Sequence, residues 1–215
     1  MSNKEKVLLV VDMQNDFMEG GSLAVAGGKS IVPIVNNLID HAEKQGYSII
    51  GTKDFHPIEH ISFASNKSFY NVPEFQIYLK IQEPYFWPNH CVIGSKGGEL
   101  NPDLHGDKIE RFFYKGSNAL IDSYSAFFTN GHVINQEFIE KFLAERQTKT
   151  IFVCGLAEDF CVMYNALDAR KLGYEVYLVT DATKPVFADK LEQTLKTYTD
   201  AGVKLIDSKE FCEKF

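Results

Sequence analysis

Short apolar runs alternate with segments of helical periodicity along this chain, and that alternation restricts its fold more than any other feature. The runs typical of buried strands cover residues 7–11, 47–53, 109–114, 150–154, 174–180 and 203–206. The segments with helical spacing cover residues 30–46, 136–147, 159–172 and 188–201. Strands that alternate with helices indicate an α/β fold, in which a mostly parallel sheet is covered on both faces.

The ends of the first helix are marked by particular residues. Ser30 is expected to cap its start, because a serine hydroxyl can bind a free N–H of the first turn. Pro33 fits the first turn, where a missing N–H costs little. Gly46 is expected to end the helix.

Length, charge and cysteine spacing exclude several classes of protein. The 215 residues suit one domain, residues 1–215, with a full core. The net charge is −7, and lysine and arginine are scattered, which argues against a nucleic-acid or membrane surface. The N-terminal segment lacks the apolar stretch of a signal peptide, so a cytoplasmic protein is expected. The four cysteines match no disulfide framework or zinc knuckle.

Residues that can carry chemistry fall where the predicted strands end. Asp12 follows the first strand, Asp54 the second and Lys115 the third, and Cys161 begins the helix after the fourth. Ligands of open α/β sheets bind beyond the carboxyl ends of the strands. For Asp12 a turn is the alternative, because aspartate often bonds its own backbone where a strand stops. We therefore expect two carboxylates, an amine and a thiol at one edge of the sheet.

Cys161 is the candidate nucleophile. Backbone N–H groups and positive potential at a helix N-terminus favour a thiolate. The same N–H groups could hold the oxyanion that forms when sulfur attacks a carbonyl. A buried structural cysteine is the alternative. That alternative describes Cys154, inside an apolar strand, and Cys212, near a C-terminus expected to be frayed.

A cysteine nucleophile needs a base, and no histidine lies near Cys161 in the sequence. Asp12 could serve if it faces the thiol, and Lys115 would then balance the charge of Asp12. The alternative for Lys115 is an exposed strand-end lysine, since lysine is rarely buried without a partner.

A second group of residues is suited to a metal. Asp54 and His56 lie two residues apart, a spacing that sends both side chains the same way at a strand end. His90 would complete a set of one carboxylate and two imidazoles, which suits zinc or ferrous iron and leaves positions open. His60 and Cys91 are further candidate ligands.

Several segments resemble the nicotinamidases, a group within the isochorismatase-like cysteine hydrolases. In chain order they are VVDMQNDF, GSLAV, TKDFHP, WPNHCV, DSYSAF, CGLAEDFCV and GYEVYLVTDAT. They cover nearly the whole chain, from residue 7 to about residue 183. The D-x-H pair together with W-P-x-H-C resembles nicotinamidases in particular, because isochorismatases generally lack that metal site. The stretch 65–85 is least like the short forms of the family and concerns the rim of the pocket rather than the triad.

The resemblance implies a three-layer α/β/α fold with a six-stranded, mostly parallel sheet, and it implies a catalytic triad. In that triad Asp12 is the base, Lys115 its charge partner and Cys161 the nucleophile. A cis peptide between Leu156 and Ala157 is also implied, with N–H groups that form an oxyanion hole together with that of Cys161.

The resemblance further implies one divalent metal held by Asp54, His56 and His90. Zinc is favoured, with iron or manganese as alternatives, and in this family the metal binds the pyridine nitrogen of the substrate. The residues that match the family's substrate pocket are Phe17, Trp87, Tyr124 and Ala157.

The expected function is hydrolysis of nicotinamide to nicotinate and ammonia through a cysteine thioester, in NAD salvage. Pyrazinamide is a further candidate substrate, and a homo-oligomer is compatible with the sequence. Three other interpretations stay open. They are another amidase of the superfamily acting on a carbamoyl or ureido group, a non-catalytic metal-binding relative, and a metallohydrolase in which metal-bound water attacks.

Overall fold

The structure, a computed structural model, describes residues 3–66, 85–130 and 137–215. The stretch 65–85, assigned above to the pocket rim, lies mostly outside these residues. Among the helices of the described residues, none combines the length and the apolar character that a membrane span requires.

A single six-stranded sheet forms the centre of the fold. Its strands are β1 (Lys6–Val11), β2 (Ser48–Asp54), β3 (Arg111–Lys115), β4 (Thr150–Leu156), β5 (Glu175–Lys184) and β6 (Lys204–Ile206). Their spatial order is β3-β2-β1-β4-β5-β6, and every neighbouring pair is parallel. The predicted α/β fold is therefore confirmed, and each predicted strand is present to within a few residues.

Helices lie between and after the strands. They are α1 (Val32–Gln45), α2 (Glu137–Glu145), α3 (Cys161–Lys171), α4 (Leu191–Asp200) and α5 (Ser208–Lys214). Gly46 ends α1 in a left-handed conformation, as predicted, with φ of 74°. Pro33 lies in the first turn of α1, also as predicted.

Two predictions, one about the start of α1 and one about the C-terminus of the chain, are wrong. Ser30 does not cap α1: it lies in a short 3-10 turn, Lys29–Ile31, and its hydroxyl donates to the carbonyl of Gly27. The C-terminus is helical rather than frayed, because α5 is capped by Asp207 and buries Phe211 against the sheet. Cys212 lies in that helix and is exposed.

Alternate residues of β1 point into two separate hydrophobic cores. Leu8 and Val10 pack in one core with α1 and α5, whereas Val7, Leu9 and Val11 pack in the other core with α2, α3 and α4. A strand buried on both faces reads as a continuous apolar run, which explains the sequence of β1.

The register of the strands brings their carboxyl ends together. Asp54 pairs with Lys115 at the end of β2 and β3, and Val11 pairs with Gly155 at the end of β1 and β4. Gly155 has φ of +111°, and a Cβ there would lie 2.1 Å from the carbonyl oxygen of Val11. Only glycine therefore allows β4 to approach β1 this closely next to the site.

Candidate active site

Lys115 lies at the centre of the site and is 1% exposed. Its Nζ lies 2.8 Å from Oδ2 of Asp12 and donates to Sγ of Cys161 at 3.1 Å. It also donates to Oδ1 of Asp54. The alternative of an exposed lysine is therefore wrong: a buried ammonium is stabilised here by two carboxylates that reach it from neighbouring strands.

Asp12 is fully buried one residue beyond the end of β1, where its backbone has φ of 46°. Its Oδ1 accepts a hydrogen bond of 2.7 Å from the hydroxyl of Thr52 on β2, while Oδ2 faces Lys115. The carboxylate thus bonds to neighbouring strands rather than to its own backbone, so the turn interpretation does not describe it.

Cys161 is the first residue of α3 and is 5% exposed. Its Sγ lies within 4.8 Å of a carboxylate oxygen of Asp12 and of one of Asp54. Asn165, one turn along α3, donates from Nδ2 to the carbonyl of Cys161 at 2.7 Å and accepts from the N–H of Ala126 through Oδ1. The start of the helix is thereby tied to the loop that carries Tyr124.

Burial decides the protonation of Cys161, the candidate nucleophile. Burial raises the pKa of the Cys161 thiol well above its usual value, although the charge of Lys115 opposes that shift. The expected thiolate is therefore disfavoured in this closed site, and the thiol needs a proton acceptor when it reacts. Burial also raises the pKa of Asp12, against the charge of Lys115, which makes its carboxylate a stronger base than an exposed aspartate.

Ala157 and Cys161 line the same pocket and carry backbone N–H groups that a substrate oxygen could use. The peptide between Leu156 and Ala157 is cis, as the family resemblance implies. Within the described residues, no backbone acceptor receives the N–H of Ala157. The N–H of Cys161 belongs to the first turn of α3, whose N–H groups have no intrahelical partner. Together these groups can donate hydrogen bonds to a developing oxyanion.

Asp54, His56 and His90 converge beside this cluster, and each is at least 96% buried. Oδ2 of Asp54 lies 3.6 Å from Nε2 of His56 and 3.5 Å from Nε2 of His90. Both separations exceed ordinary hydrogen-bond lengths, so the three atoms face a common point without being bonded to one another.

The outer nitrogens of the two histidines are held by the backbone. Nδ1 of His56 lies 2.9 Å from the carbonyl of Gly116, and Nδ1 of His90 lies 2.8 Å from that of Pro88. A carbonyl at Nδ1 requires the proton there and leaves Nε2 as an acceptor for a cation. A Cβ at Gly116 would lie 2.3 Å from the His56 ring, so glycine is required for this contact. The three residues therefore fit a divalent metal.

The further candidate ligands do not join that group. The His60 ring packs 4.2 Å from the ring of His56, but its Nδ1 contacts the hydroxyl of Ser62, and its Nε2 lies 3.9 Å from Asp122. Burial lowers the pKa of His60 to about 4, so the ring is neutral. Cys91 is buried, and its backbone N–H donates to Asp16. Ligand atoms of Asp12, Asp54 and Cys161 also lie within 4.8 Å of one another. The ammonium of Lys115 contacts all three, so this cluster needs no metal to explain it.

A small pocket opens onto Cys161 between aromatic and aliphatic side chains. The residues around it are Phe17, Leu23, Asp54, Trp87, His90, Tyr124, Ala157, Phe160, Cys161 and Val186. All four predicted pocket residues are present. Trp87 donates from Nε1 to the hydroxyl of Tyr124 at 3.1 Å, and the Phe17 ring lies 5.7 Å from that of His90.

Sequence reasoning missed Leu23, Phe160 and Val186 as pocket residues. Leu23 and Val186 are ordinary apolar residues in loops, and nothing in their pattern separates them from the core. Phe160 directly precedes the nucleophile, a position that could have indicated it. Its ring lies 5.1 Å from that of Trp87, edge to face. Asp159 holds the loop of Val186 in place, because its two oxygens accept the N–H groups of Val186 and Phe187 at 2.8 Å.

Comparison with known proteins agrees with this geometry. An isochorismatase domain model matches residues 6–210. A nicotinamidase of Escherichia coli K12 is 42% identical over 181 residues, which cover 84% of each chain. The residues matched by the family model include every strand of the sheet and every residue of the site.

Solved structures give the same picture. A nicotinamidase/pyrazinamidase of Acinetobacter baumannii is 37% identical, with a TM-score of 0.87 over 98% of this chain and 99% of that one. The protein PnC1 of L. infantum, solved in complex with nicotinate, is 33% identical, with a TM-score of 0.82 over 97% and 96%. A pyrazinamidase of Pyrococcus horikoshii, solved in complex with zinc, is 34% identical, with a TM-score of 0.78 over 94% and 99%. The chain therefore belongs to the isochorismatase domain family and, within that family, to the nicotinamidases.

Proposed function

We propose that this chain hydrolyses nicotinamide to nicotinate and ammonia in NAD salvage, through a thioester on Cys161. The observation that carries the proposal is the buried ammonium of Lys115, which joins Cys161, Asp12 and Asp54 beside a group suited to a metal. Nucleophile, base and substrate anchor thus share one sheet edge, as an amidase that works on a ring amide requires.

In the first half of the reaction, Sγ of Cys161 attacks the amide carbon and its proton passes to the carboxylate of Asp12. The N–H groups of Ala157 and Cys161 donate hydrogen bonds to the oxyanion of the tetrahedral intermediate. The C–N bond then breaks, and the proton held on Asp12 moves to the leaving nitrogen, which departs as ammonia. Lys115 keeps Asp12 in place and compensates its negative charge whenever the carboxylate is deprotonated.

In the second half, water attacks the thioester carbon and gives a proton to Asp12. The C–S bond breaks, the sulfur recovers its proton from Asp12, and the product leaves as nicotinic acid, which becomes nicotinate by giving its proton to the solvent. The same carboxylate serves as acceptor and donor in both halves, so a pKa raised by burial brings it nearer the value at which general acid–base catalysis is efficient.

We further propose that the metal is zinc, held by Asp54, His56 and His90. One carboxylate and two imidazoles form a donor set that zinc accepts, and the Pyrococcus horikoshii relative was solved in complex with zinc. When bound, the ion would act as a Lewis acid that anchors the ring nitrogen of the substrate. The protein's own part is to orient the ring between Phe17 and Trp87, with its carboxamide toward Cys161.

The pocket favours a planar ring over the carbamoyl or ureido alternatives. Its walls include Phe17, Trp87, Tyr124 and Phe160, which stack well on an aromatic substrate. Pyrazinamide has the same shape and a ring nitrogen in the corresponding position, so we propose it as a second substrate.

The organisation of the chain is also proposed. One sheet holds all six strands, which supports a single domain over residues 1–215. A homo-oligomer and a cytoplasmic location remain predictions.

The test is ammonia release from nicotinamide by native protein, by chelator-treated protein and by protein reloaded with zinc. We expect turnover only with metal, and a nicotinoyl adduct on Cys161 by mass spectrometry after an acid quench. Turnover by Cys161→Ala at the native rate would instead support the metallohydrolase alternative.

A further inference from the structure

We propose that Gln14 and Asp16 are positioning residues. They hold two residues of the metal group, Asp54 and His90, which we call its two arms, in fixed positions relative to the proposed base, Asp12. This inference rests on the proposed function, since it concerns the same metal. The residues lie just after Asp12, in a segment of residues 14–16 that we call the splint. The proposed reaction leaves the splint without a role, although it is the most polar part of the motif that begins at Val10.

The first arm is Asp54, and the side chain of Gln14 forms hydrogen bonds with both its backbone N–H and its backbone carbonyl. Oε1 of Gln14 accepts the N–H of Asp54 at 2.8 Å, while Nε2 donates to the carbonyl of Asp54 at 2.9 Å. Gln14 is fully buried. Nε2 also donates to the carbonyl of Gly98 at 3.0 Å. A side chain that satisfies both backbone groups of one residue fixes that residue in position and in rotation.

The second arm is His90, and Asp16 holds it through the next residue. Oδ2 of Asp16 accepts the N–H of Cys91 at 2.7 Å, where Cys91 adopts a left-handed backbone with φ of 47°. Gly97 packs against the same carboxylate so closely that a Cβ would lie 2.1 Å from Oδ2 of Asp16. Glycine at position 97 therefore leaves the space that the carboxylate of Asp16 occupies.

The splint itself is anchored to the segment that carries the second arm. Backbone N–H groups of Asn15 and Asp16 donate to the carbonyls of Glu99 and Gly97 at 2.9 and 3.0 Å. Nδ2 of Asn15 donates to the carbonyl of Lys96 at 2.9 Å. The base and both arms are thus connected through three consecutive residues, and any shift of the splint would move all of them together.

The chemistry of the two side chains is specific to these tasks. An amide offers one acceptor and one donor, which match the N–H and the carbonyl of Asp54. A glutamate in place of Gln14 would keep the acceptor but oppose two carbonyls with an oxygen. Changes to partners that orient metal ligands typically weaken metal binding by about 10- to 100-fold.

The first experiment measures zinc affinity by chelator competition in the full-length protein, for native protein and Gln14→Leu. We expect zinc to bind about 10- to 100-fold more weakly to the variant. Gln14→Glu has the same shape and provides a second variant if Gln14→Leu does not fold; its affinity should fall in the same direction.

The matched control is Asn36→Leu. Asn36 also grips backbone from both sides, accepting from the N–H of His105 and donating to the carbonyl of Asp103, each at 2.8 Å, but away from the site. Its loss should lower stability and leave zinc affinity unchanged. An equal loss of zinc affinity in Asn36→Leu would show that the effect on Gln14 is general destabilisation, which would overturn the inference.

The second experiment tests the other arm by rescue. Asp16→Ala removes the acceptor for the N–H of Cys91, whereas Asp16→Asn keeps a carbonyl oxygen for it. We expect Asp16→Ala to weaken zinc binding and Asp16→Asn to recover most of the affinity. Native affinity in folded Gln14→Leu or Asp16→Ala would overturn the positioning role of that residue alone. Absence of zinc binding by native protein would overturn the metal site and the proposed function with it.

Discussion

Two buried aspartates at neighbouring strand ends share one ammonium but differ in ionisation. Asp12, after β1, and Asp54, at the end of β2, both face Lys115. Burial raises the pKa of Asp12, and the nearby charge of Asp54 adds to that effect while Lys115 opposes it. Burial also disfavours ionised Asp54, but the charge of Lys115, together with the imidazoles of His56 and His90, outweighs burial and holds its pKa well below the usual value.

The difference comes from the other partners of each carboxylate. Besides Lys115, the partner of the Asp12 carboxylate among the described residues is the neutral hydroxyl of Thr52, whereas Asp54 has the imidazoles of His56 and His90. A carboxylate with a raised pKa can exchange a proton, and one with a lowered pKa remains an anion that can hold a cation. Two aspartates beside the same ammonium are thus suited to different roles, Asp12 to proton exchange and Asp54 to holding a cation.

The largest expected effect follows from removing Cys161, the proposed nucleophile. Cys161→Ala should lower the turnover of nicotinamide by at least ~10⁴-fold, as loss of a nucleophile does in other covalent hydrolases. Zinc binding should persist, because Sγ of Cys161 contacts Lys115 and not the metal group. Steady-state ammonia release and metal content by mass spectrometry measure the two effects.

Cys154→Ser is the control for that prediction. Cys154 is fully buried inside β4, as its sequence context indicated, and burial raises the pKa of its thiol. The variant should unfold at lower urea concentration yet keep its turnover when folded. If Cys161→Ala turned over as fast as Cys154→Ser, the sulfur of Cys161 would not be the attacking atom.

The next effect separates the base from its charge. Asp12→Asn keeps the shape and removes the proton acceptor, so turnover should fall by at least ~100-fold, the lower range for general acid–base catalysis. The negative charge of Asp12 is one of the causes that raise the pKa of Cys161. Without that charge, alkylation of Cys161 by iodoacetamide should therefore begin at a lower pH than in native protein.

These two readouts move in opposite directions, which makes the test specific. A fall in turnover would report loss of the proton acceptor, and an alkylation profile shifted to lower pH would report loss of the charge of Asp12 that raises the pKa of the thiol. Loss of turnover with an alkylation profile shifted to higher pH would mean that Asp12 acts mainly by holding Lys115 near the thiol.

The third effect concerns the metal side of the comparison. His56→Ala removes a proposed ligand of the metal that we propose anchors the ring nitrogen, so kcat/KM for nicotinamide should fall by about 100-fold, the cost of a misplaced substrate. Benzamide has no ring nitrogen and should lose far less. Proportional losses for the two amides would assign the metal to the reaction itself rather than to anchoring.

The sheet and the strand-end residues could be predicted because their signals are local. The apolar run before Asp12 and the paired positions of Asp54 and His56 are visible without any tertiary information. By contrast, α5 was missed because it has seven residues and only Phe211 of these is buried. Short helices of this kind are stabilised by packing, which a local pattern does not contain.

Ionisation could not be predicted from the sequence for the same reason. A strand-end lysine is usually exposed, and the burial of Lys115 depends on three partners from distant segments, Asp12, Asp54 and Cys161. The thiolate expected for Cys161 was inferred from its helix terminus alone. Burial by the surrounding aromatic residues, which no motif reports, shifts its pKa in the other direction.

The smallest expected effect extends the comparison to a third buried carboxyl group. Glu158 follows Ala157, is 3% exposed, and its carboxyl group accepts no hydrogen bond from the described residues. Burial and the charge of Asp159 raise its pKa from 4.5 to about 7, with Lys184 opposing. Below pH 4.5 the group is protonated whether the chain is folded or unfolded, so it costs nothing. Between about 4.5 and 7 the unfolded chain ionises first, and the folded state is progressively destabilised.

Glu158→Gln should remove that penalty. Its free energy of unfolding should match native protein near pH 4.5 and exceed it at pH 8 by about 1–2 kcal/mol, once solvent screening is allowed for. Urea unfolding at the two pH values measures the difference, and Glu145→Gln, on the exposed face of α2, is the control that should show none. An excess that is the same at both pH values would come from packing of the amide. Only an excess that grows with pH shows that Glu158 holds its proton in the folded state because it is buried without the partners that keep Asp54 ionised.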